Sequence, residues 1–270
     1  MRSELRPVIL SKSATINVMA NAAYKASKGL LRDFGEVEHL QVSRKGVGDF
    51  VTAADKRSEK ILMEELHKAY PDYNFLTEES GVIDMGKGSP YTWIIDPLDG
   101  TSNFIHGMPH FCIVVALKKD DEIIDGLIYD PIRDEMFFAE KGMGTFLNKR
   151  RLRVANRAKM DEAIIAAGYS LPDGASNPVI SRQLQRIADV GASLRCMGSS
   201  ALDLAYTACS RIDLCCFWHL KPWDIAAGML MISEAGGFVS GIETQDPLAS
   251  GSVLAGSPIF FKHFHDTLAA

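Results

Sequence analysis

Trp93-Ile94-Ile95-Asp96-Pro97-Leu98-Asp99-Gly100-Thr101-Ser102-Asn103-Phe104 runs an apolar segment straight into two aspartates three residues apart. The apolar part reads as a buried strand over Tyr91–Ile95. Pro97 confines Asp96 to extended backbone and removes a hydrogen-bond donor, so the strand is expected to end there in a fixed bend. Gly100 lets the backbone come close to something small. A helical turn starting near Thr101 or Ser102 would offer free N–H groups, an anion site, beside two carboxylates. Carboxylates and phosphate repel each other unless cations sit between them, and hard oxygen ligands select Mg²⁺. The stretch therefore predicts a metal-assisted phosphoryl-transfer site, with an ordinary Asp-Pro turn as the plain alternative.

Three further acidic segments surround it. Gly-Asp-Phe-Val-Thr-Ala-Ala-Asp at 48–55 ends in Asp55, at the expected N-terminus of a helix, where N-capping alone would explain an aspartate. Leu76-Thr77-Glu78-Glu79-Ser80 closes an apolar run starting near Phe75 with adjacent carboxylates. Lys221-Pro222-Trp223-Asp224-Ile225-Ala226-Ala227-Gly228, followed by Ser233-Glu234-Ala235-Gly236-Gly237, again puts an aspartate in a first helical turn after proline.

The remaining sequence reads as helices first, over Ser13–Phe34 and Lys56–Tyr70, the second stopped by Pro71. Short β-rich runs follow over Tyr91–Ile95, Phe111–Leu117, Ile123–Tyr129 and Glu135–Ala139, close enough to form an antiparallel sheet. Beyond Ala155 strand and helix alternate: Ala163–Ala167, Pro178–Val190, Leu194–Met197, Ala201–Cys209, Ile212–Phe217 and Trp223–Glu234. This is an α/β pattern. Residues 1–155 and 156–270 form the expected halves of one catalytic unit.

The 270 residues, 47% hydrophobic and 23% charged, describe a globular chain, not a disordered one. No apolar run reaches membrane-spanning length and no signal-peptide core is legible, so a cytoplasmic protein is expected. A net charge of −5 argues against general nucleic-acid binding. The basic cluster Lys149, Arg150, Arg151 and Arg153 after Asn148 reads as a solvated hairpin, with a weak anionic contact as the alternative. Five cysteines without a CxxC pair read as reduced core thiols, and the seven histidines show no zinc spacing. His106 and His110, near the Gly100 turn, are expected to be structural or to support the site from behind rather than to be catalytic.

Taken together, Asp-Pro-Leu-Asp-Gly-Thr with Asn-Phe, Glu-Glu-Ser before it, and Trp-Asp followed after a helix by Glu-Ala-Gly-Gly resemble the inositol monophosphatase family of Mg²⁺-dependent, lithium-sensitive phosphatases along essentially the whole chain. The resemblance implies a layered α/β/α/β/α sandwich. It implies two or three Mg²⁺ ions held by the carboxylates of Glu78, Asp96, Asp99 and Asp224 and the Leu98 carbonyl. It places phosphate on Gly100, Thr101 and Ser102, and the attacking water on Thr101 with Asp55 or on Glu78. Ser199 and Ser200, in Gly198-Ser199-Ser200, fall where relatives contact substrate hydroxyls, and Asp224 would also touch substrate.

Animal inositol monophosphatases carry a glutamate seven residues before the Trp-Asp aspartate, and here that residue is Phe217, a substrate-wall position or a core strand residue. A lysine near the metal in relatives falls at Arg44 or Lys45. The implied activity is hydrolysis of inositol 1-phosphate or a similar polyol phosphate. Fructose 1,6-bisphosphate, histidinol phosphate and nucleotide 3′-phosphates are alternative substrates, and a non-catalytic role beside transcription or ribosome-assembly machinery is the other reading. Family members are commonly homodimers.

Overall fold

Ser13 opens the first helix by accepting a hydrogen bond from Ile16 N, and α1 (Ala14–Phe34) buries an alanine-rich face including Ala20, Ala22, Ala23 and Ala26. The computed structural model describes residues 11, 13–36, 42–46, 49–170, 177–242 and 244–269, excluding the side chains of 42–51 and 266–269. Gly48 and the side chains of Arg44 and Lys45 thus lie outside the described residues. A hairpin of β1 (Val42–Gly46) and β2 (Asp49–Thr52) leads into α2 (Ala53–Ala69). Thr52 caps this helix by accepting from Ala54 N and Asp55 N. Asp55 is therefore not the cap but the third helical residue, whose carboxylate reaches back to Thr52 N to close a capping box.

The first sheet holds β3 (Asn74–Thr77), β4 (Gly81–Ile83), β5 (Tyr91–Asp99), β6 (Cys112–Lys119), β7 (Glu122–Asp130), β8 (Glu135–Glu140), β9 (Gly144–Leu147) and β10 (Arg150–Arg151), in the order β10-β9-β8-β7-β6-β5-β3-β4. From β5 to β10 neighbours run antiparallel, as expected, but β3 joins β5 in parallel. A short helix, α3 (Thr101–Ile105), follows β5. The basic hairpin forms at Asn148, leaving Arg150 and Arg151 exposed on the edge strand.

The second sheet is mixed, ordered β12-β11-β13-β15-β14, from β11 (Ile164–Tyr169), β12 (Ser193–Arg195), β13 (Leu214–Trp218), β14 (Phe238–Ser240) and β15 (Val253–Gly256). Its helices are α4 (Pro178–Asp189), α5 (Ser200–Ala208), α6 (Pro222–Glu234), α7 (Pro247–Ser250) and α8 (Pro258–Ala269).

Three cores show the layering. One joins α1 and α2 to the first sheet through Met19, Leu62, Trp93 and Val115. The middle one packs α5 and α6 between the sheets through Ile94, Val114, Leu204, Ile225 and Phe217. The third joins the second sheet to α4 and α8 through Ile165, Ile180, Trp218 and Phe264. The chain is an α/β/α/β/α sandwich. Among the described residues no helix is long and apolar enough to cross a membrane. Cys112, Cys215 and Cys216 are buried, but Cys196 is exposed, so it is not a core thiol.

Strand ends differ from the expectation most where chain partners, not local pattern, decide them. β5 does not stop at Ile95 but pairs on to Asp99. Opposite β6, Asp96 faces Val114 and Asp99 faces Cys112, so β5 carries one extra residue, a bulge at Pro97-Leu98. Proline's missing N–H is tolerated in such a bulge.

Helix α6 lies between the sheets and touches α5 closely at Gly228. A Cβ there would stand 2.4 Å from Leu204 Cβ. Gly228→Ala should therefore lower stability by about 1–3 kcal/mol through overpacking, read as a lower midpoint in urea denaturation.

Candidate active site

The bulge in β5 turns both aspartates to the same end of the sheet. Asp96 and Asp99 are buried, and Leu98 N donates to Asp96 Oδ1 at 2.9 Å. Gly100 follows at φ +91°, where a Cβ would meet His110 O at 3.0 Å and Gly198 O at 3.3 Å, so no side chain fits. The chain then enters α3, whose first intrahelical bond runs from Phe104 N to Gly100 O. Thr101 and Ser102 thus stand in a first turn beside the two acids, with Ser102 exposed.

Asp224 arrives from the first turn of α6, where Lys221 N donates to its Oδ2 at 2.8 Å. Carboxylate oxygens of Asp96, Asp99 and Asp224 lie within 4.8 Å of one another. At that spacing two unscreened charges repel by roughly 3 kcal/mol in a protein-like medium. Burial drives the Asp96 carboxyl well above the usual carboxylate range, and the charges of Glu78, Asp99 and Asp224 push it further. Burial likewise raises Asp224, with Asp99 adding to it and the Lys221 N–H opposing. Glu78 stands outside the tight triad, half-buried at the end of β3, and its N–H donates to Ile95 O at 3.2 Å.

Asp99 is raised by burial too, but a set of donors opposes the shift. Ser199 Oγ and Ala201 N (3.0 Å) both donate to its Oδ2, Ser200 Oγ reaches Oδ1 at 3.5 Å, and Cys112 Sγ lies 3.7 Å from Oδ2. The expectation placed Ser199 and Ser200 against substrate. The structure directs both hydroxyls to Asp99, and Ser199 is only 1% exposed. Phe217, expected either on the substrate wall or in the core, is 3% exposed and packs in the middle core.

Asp55 is fully buried and accepts from Thr52 N at 2.9 Å, from the Thr52 hydroxyl, and from Thr101 Oγ1 at 3.2 Å. The Thr101 hydroxyl also lies 3.0 Å from Leu98 O, so its single proton is shared between the two acceptors. Burial raises the Asp55 carboxyl, and the hydrogen bonds from Thr52 and Thr101 moderate it.

Several supporting contacts were not legible in the sequence. Ser58 Oγ donates to Pro97 O at 2.8 Å inside the bulge. Its position one helical turn after Asp55 was the available signal. Asn103 Nδ2 donates to both His110 O and Met197 O at 2.8 Å, tying the Gly100 turn to the segment before α5. His110 Nε2 stands 3.6 Å from the buried Asp203 Oδ1, and burial raises the Asp203 carboxyl to about 6 while His110 opposes the rise. Nothing local in the sequence marks these two contacts. His106, exposed, places its Nδ1 2.7 Å from Ser102 O.

Residues 11–270 match the Inositol monophosphatase family. A protein of Mesorhizobium japonicum named Inositol-1-monophosphatase is 47% identical over 253 residues, spanning 93% of this chain and 94% of its own length. A protein of Escherichia coli named Nus factor SuhB is 36% identical, with 92% of each chain covered. The crystal structure of extragenic suppressor protein suhB from Bartonella henselae superposes with a TM-score of 0.90 at 43% identity, over 95% of this chain and 98% of that one. The chain belongs to the inositol monophosphatase family.

Proposed function

We propose that this chain is a Mg²⁺-dependent phosphomonoesterase that hydrolyses inositol 1-phosphate or a similar polyol phosphate. Family membership supports a phosphatase. The observation that carries the finer reading is the convergence of Asp96, Asp99 and Asp224 beside the Thr101–Asp55 pair.

The donor set fits a hard divalent cation. Three carboxylates, those of Asp96 and Asp99 buried and that of Asp224 half-buried, are massed within 4.8 Å, all oxygen donors, and each is more stable protonated than an exposed carboxylate. Asp96, Asp99 and Asp224, with Glu78 and the Leu98 carbonyl, would hold the ions. Bound Mg²⁺ supplies Lewis acidity toward phosphate oxygens and lowers the pKa of water.

The chain's own groups divide the rest. N–H groups of the Gly100–Ser102 turn receive the phosphate oxygens. Thr101 donates its proton toward Asp55, which leaves its lone pairs to accept a hydrogen bond from the attacking water and orient it. A carboxyl raised by burial accepts a proton more readily, which suits Asp55 to take the one Thr101 passes on, while Glu78 is the second candidate base. Ser199 and the Ala201 N–H favour the ionised form of Asp99, against the rise that burial causes, and aim its carboxylate. Phe217, buried in the middle core, leaves no acceptor from that position for a sugar hydroxyl. The panel of competing substrates therefore includes fructose 1,6-bisphosphate, histidinol phosphate and nucleotide 3′-phosphates.

Relatives named Nus factor SuhB give a second reading, an interaction protein, for which Arg150 and Arg151 on the exposed edge strand are the surface to test. Asp99→Asn separates the two. It should abolish phosphate release, and retention of every cellular effect by that variant would favour the interaction reading.

Two outcomes test the enzymatic reading. In a phosphate-release assay with Mg²⁺, Asp96→Asn should be inactive and Thr101→Ala should lose roughly 10²–10⁴-fold in kcat with little change in KM. A Thr101→Ala enzyme with parental kcat would remove Thr101 and Asp55 from the water-orienting role.

The second concerns stability without metal. A carboxyl raised in the folded state contributes stability below its unfolded pKa of about 4 and loses it as pH rises through the folded value. The chain in EDTA should thus melt at progressively lower temperature as pH rises above about 4, with Mg²⁺ reversing the loss. Asp96→Asn should melt higher than the parent in EDTA at pH 7.5 and gain less from Mg²⁺. Equal melting temperatures of the two in EDTA would contradict the picture of uncompensated carboxylates.

A further inference from the structure

Helix α2 turns three buried polar residues toward the scaffolding of the acidic site. Asp55, Ser58 and Glu59 sit at i, i+3 and i+4, one helix face, and are 0%, 1% and 3% exposed. Asp55 meets Thr101 and Ser58 meets the bulge peptide at Pro97. Glu59 reaches the third acidic segment: its Oε2 accepts from Glu79 N at 2.9 Å and its Oε1 from Ser80 Oγ at 2.5 Å.

Burying a carboxylate costs several kcal/mol unless it is hydrogen-bonded or paired. Among the described residues Glu59 takes part in no salt bridge, so the Glu79 N–H and the Ser80 hydroxyl are what hold it. Both belong to the turn that carries Glu78. The peptide before Glu78 is fixed by its own N–H to Ile95 O, one residue ahead of Asp96, and the peptide after it is fixed by Glu59. Ser80 N closes the turn on Thr77 Oγ1 at 3.1 Å. Glu78 is thereby pinned on both flanks, once by the strand bearing Asp96 and once by the helix bearing Asp55.

We infer that Glu59 is a positioning residue that sets the site's affinity for divalent cations by fixing the backbone on which Glu78 stands. The inference rests on the reading of Glu78 as a metal ligand. A carboxylate here differs in effect from an apolar side chain that would merely fill the space. It orients one N–H and one hydroxyl, and removing such groups behind a metal ligand typically costs 10–100-fold in metal affinity.

The test is Mn²⁺ binding by isothermal titration calorimetry on the full chain, with melting in EDTA as control. Glu59→Gln keeps the shape and loses the charge. Ser80→Ala removes one anchor from the exposed end of the turn, so it reports even where Glu59→Gln folds poorly. Glu59→Gln should weaken Mn²⁺ roughly 10–100-fold while melting near the parent, Ser80→Ala should weaken it less, and Glu59→Gln added to Glu78→Gln should cost little more. Parental affinity in Glu59→Gln overturns the inference, as does an undiminished further loss in the Glu78→Gln background. So does a Glu59→Gln chain melting far below the parent while Ser80→Ala binds Mn²⁺ normally. If Glu78→Gln alone leaves Mn²⁺ affinity unchanged, the ligand reading of Glu78 falls with it, an outcome distinct from failure of Glu59 alone.

Discussion

Crowded carboxylates that cannot escape one another are the constraint around which this molecule is arranged. Asp96, Asp99 and Asp224 come from a strand bulge and a helix start more than a hundred residues apart, and the fold forces their oxygens within 4.8 Å. In water such groups would separate. Here the β5 bulge, the Gly100 turn and the first turn of α6 leave them no other place, and packing supplies the free energy that electrostatics withholds. A middle core drawing on both sheets, with Val114, Leu204, Ile225 and Phe217 fully or nearly buried, holds α6 against the strand end. Each large apolar side chain of this kind contributes about 1.5–3 kcal/mol when buried. A few of them offset the repulsion of one close acidic pair.

The surrounding hydrogen bonds treat the acids unequally. Asp99 takes Ser199 and Ala201 as donors, Asp96 takes the Leu98 N–H, and Asp224 takes the Lys221 N–H. Asp55 is kept apart from the triad and saturated by Thr52 and Thr101. One set of carboxyls is crowded, so that it favours cations, and another is isolated, so that it can hold a proton. Burial raises both, yet neighbouring acids add to the rise at Asp96 and Asp224 and are not among its causes at Asp55. That difference in neighbours, more than residue type, separates the two roles proposed for them.

Much of this was legible in the sequence because proline and glycine fix backbone locally. Pro97 and Gly100 announce an irregular strand end whatever the rest of the chain does, and an aspartate immediately before each of them is visible without a structure. The order of helices, clustered strands and alternating elements also follows from periodicity. What could not be read depends on partners far along the chain. The extension of β5 to Asp99 exists because β6 pairs with it, and β3 and β4 are too short to stand out until β5 lies beside β3 and β3 beside β4. Ser199 and Ser200 look alike in sequence whether they face a ligand or Asp99. Phe217 has the composition of a core residue and the position of a specificity residue, and only its burial decides between them.

The bond from Ser199 to Asp99 links residues one hundred positions apart. During translation, at roughly 5–20 residues per second, the first sheet emerges several seconds before the segment that secures its central aspartate. An N-terminal sheet that collapsed early would expose an acidic edge still lacking both its serine clamp and Asp224. Assembly of the second sheet is then what completes the first, and long-range pairing of this sort slows folding, because chain closure must precede its reward. A nascent chain of this architecture is therefore at its most vulnerable in the interval between the two sheets.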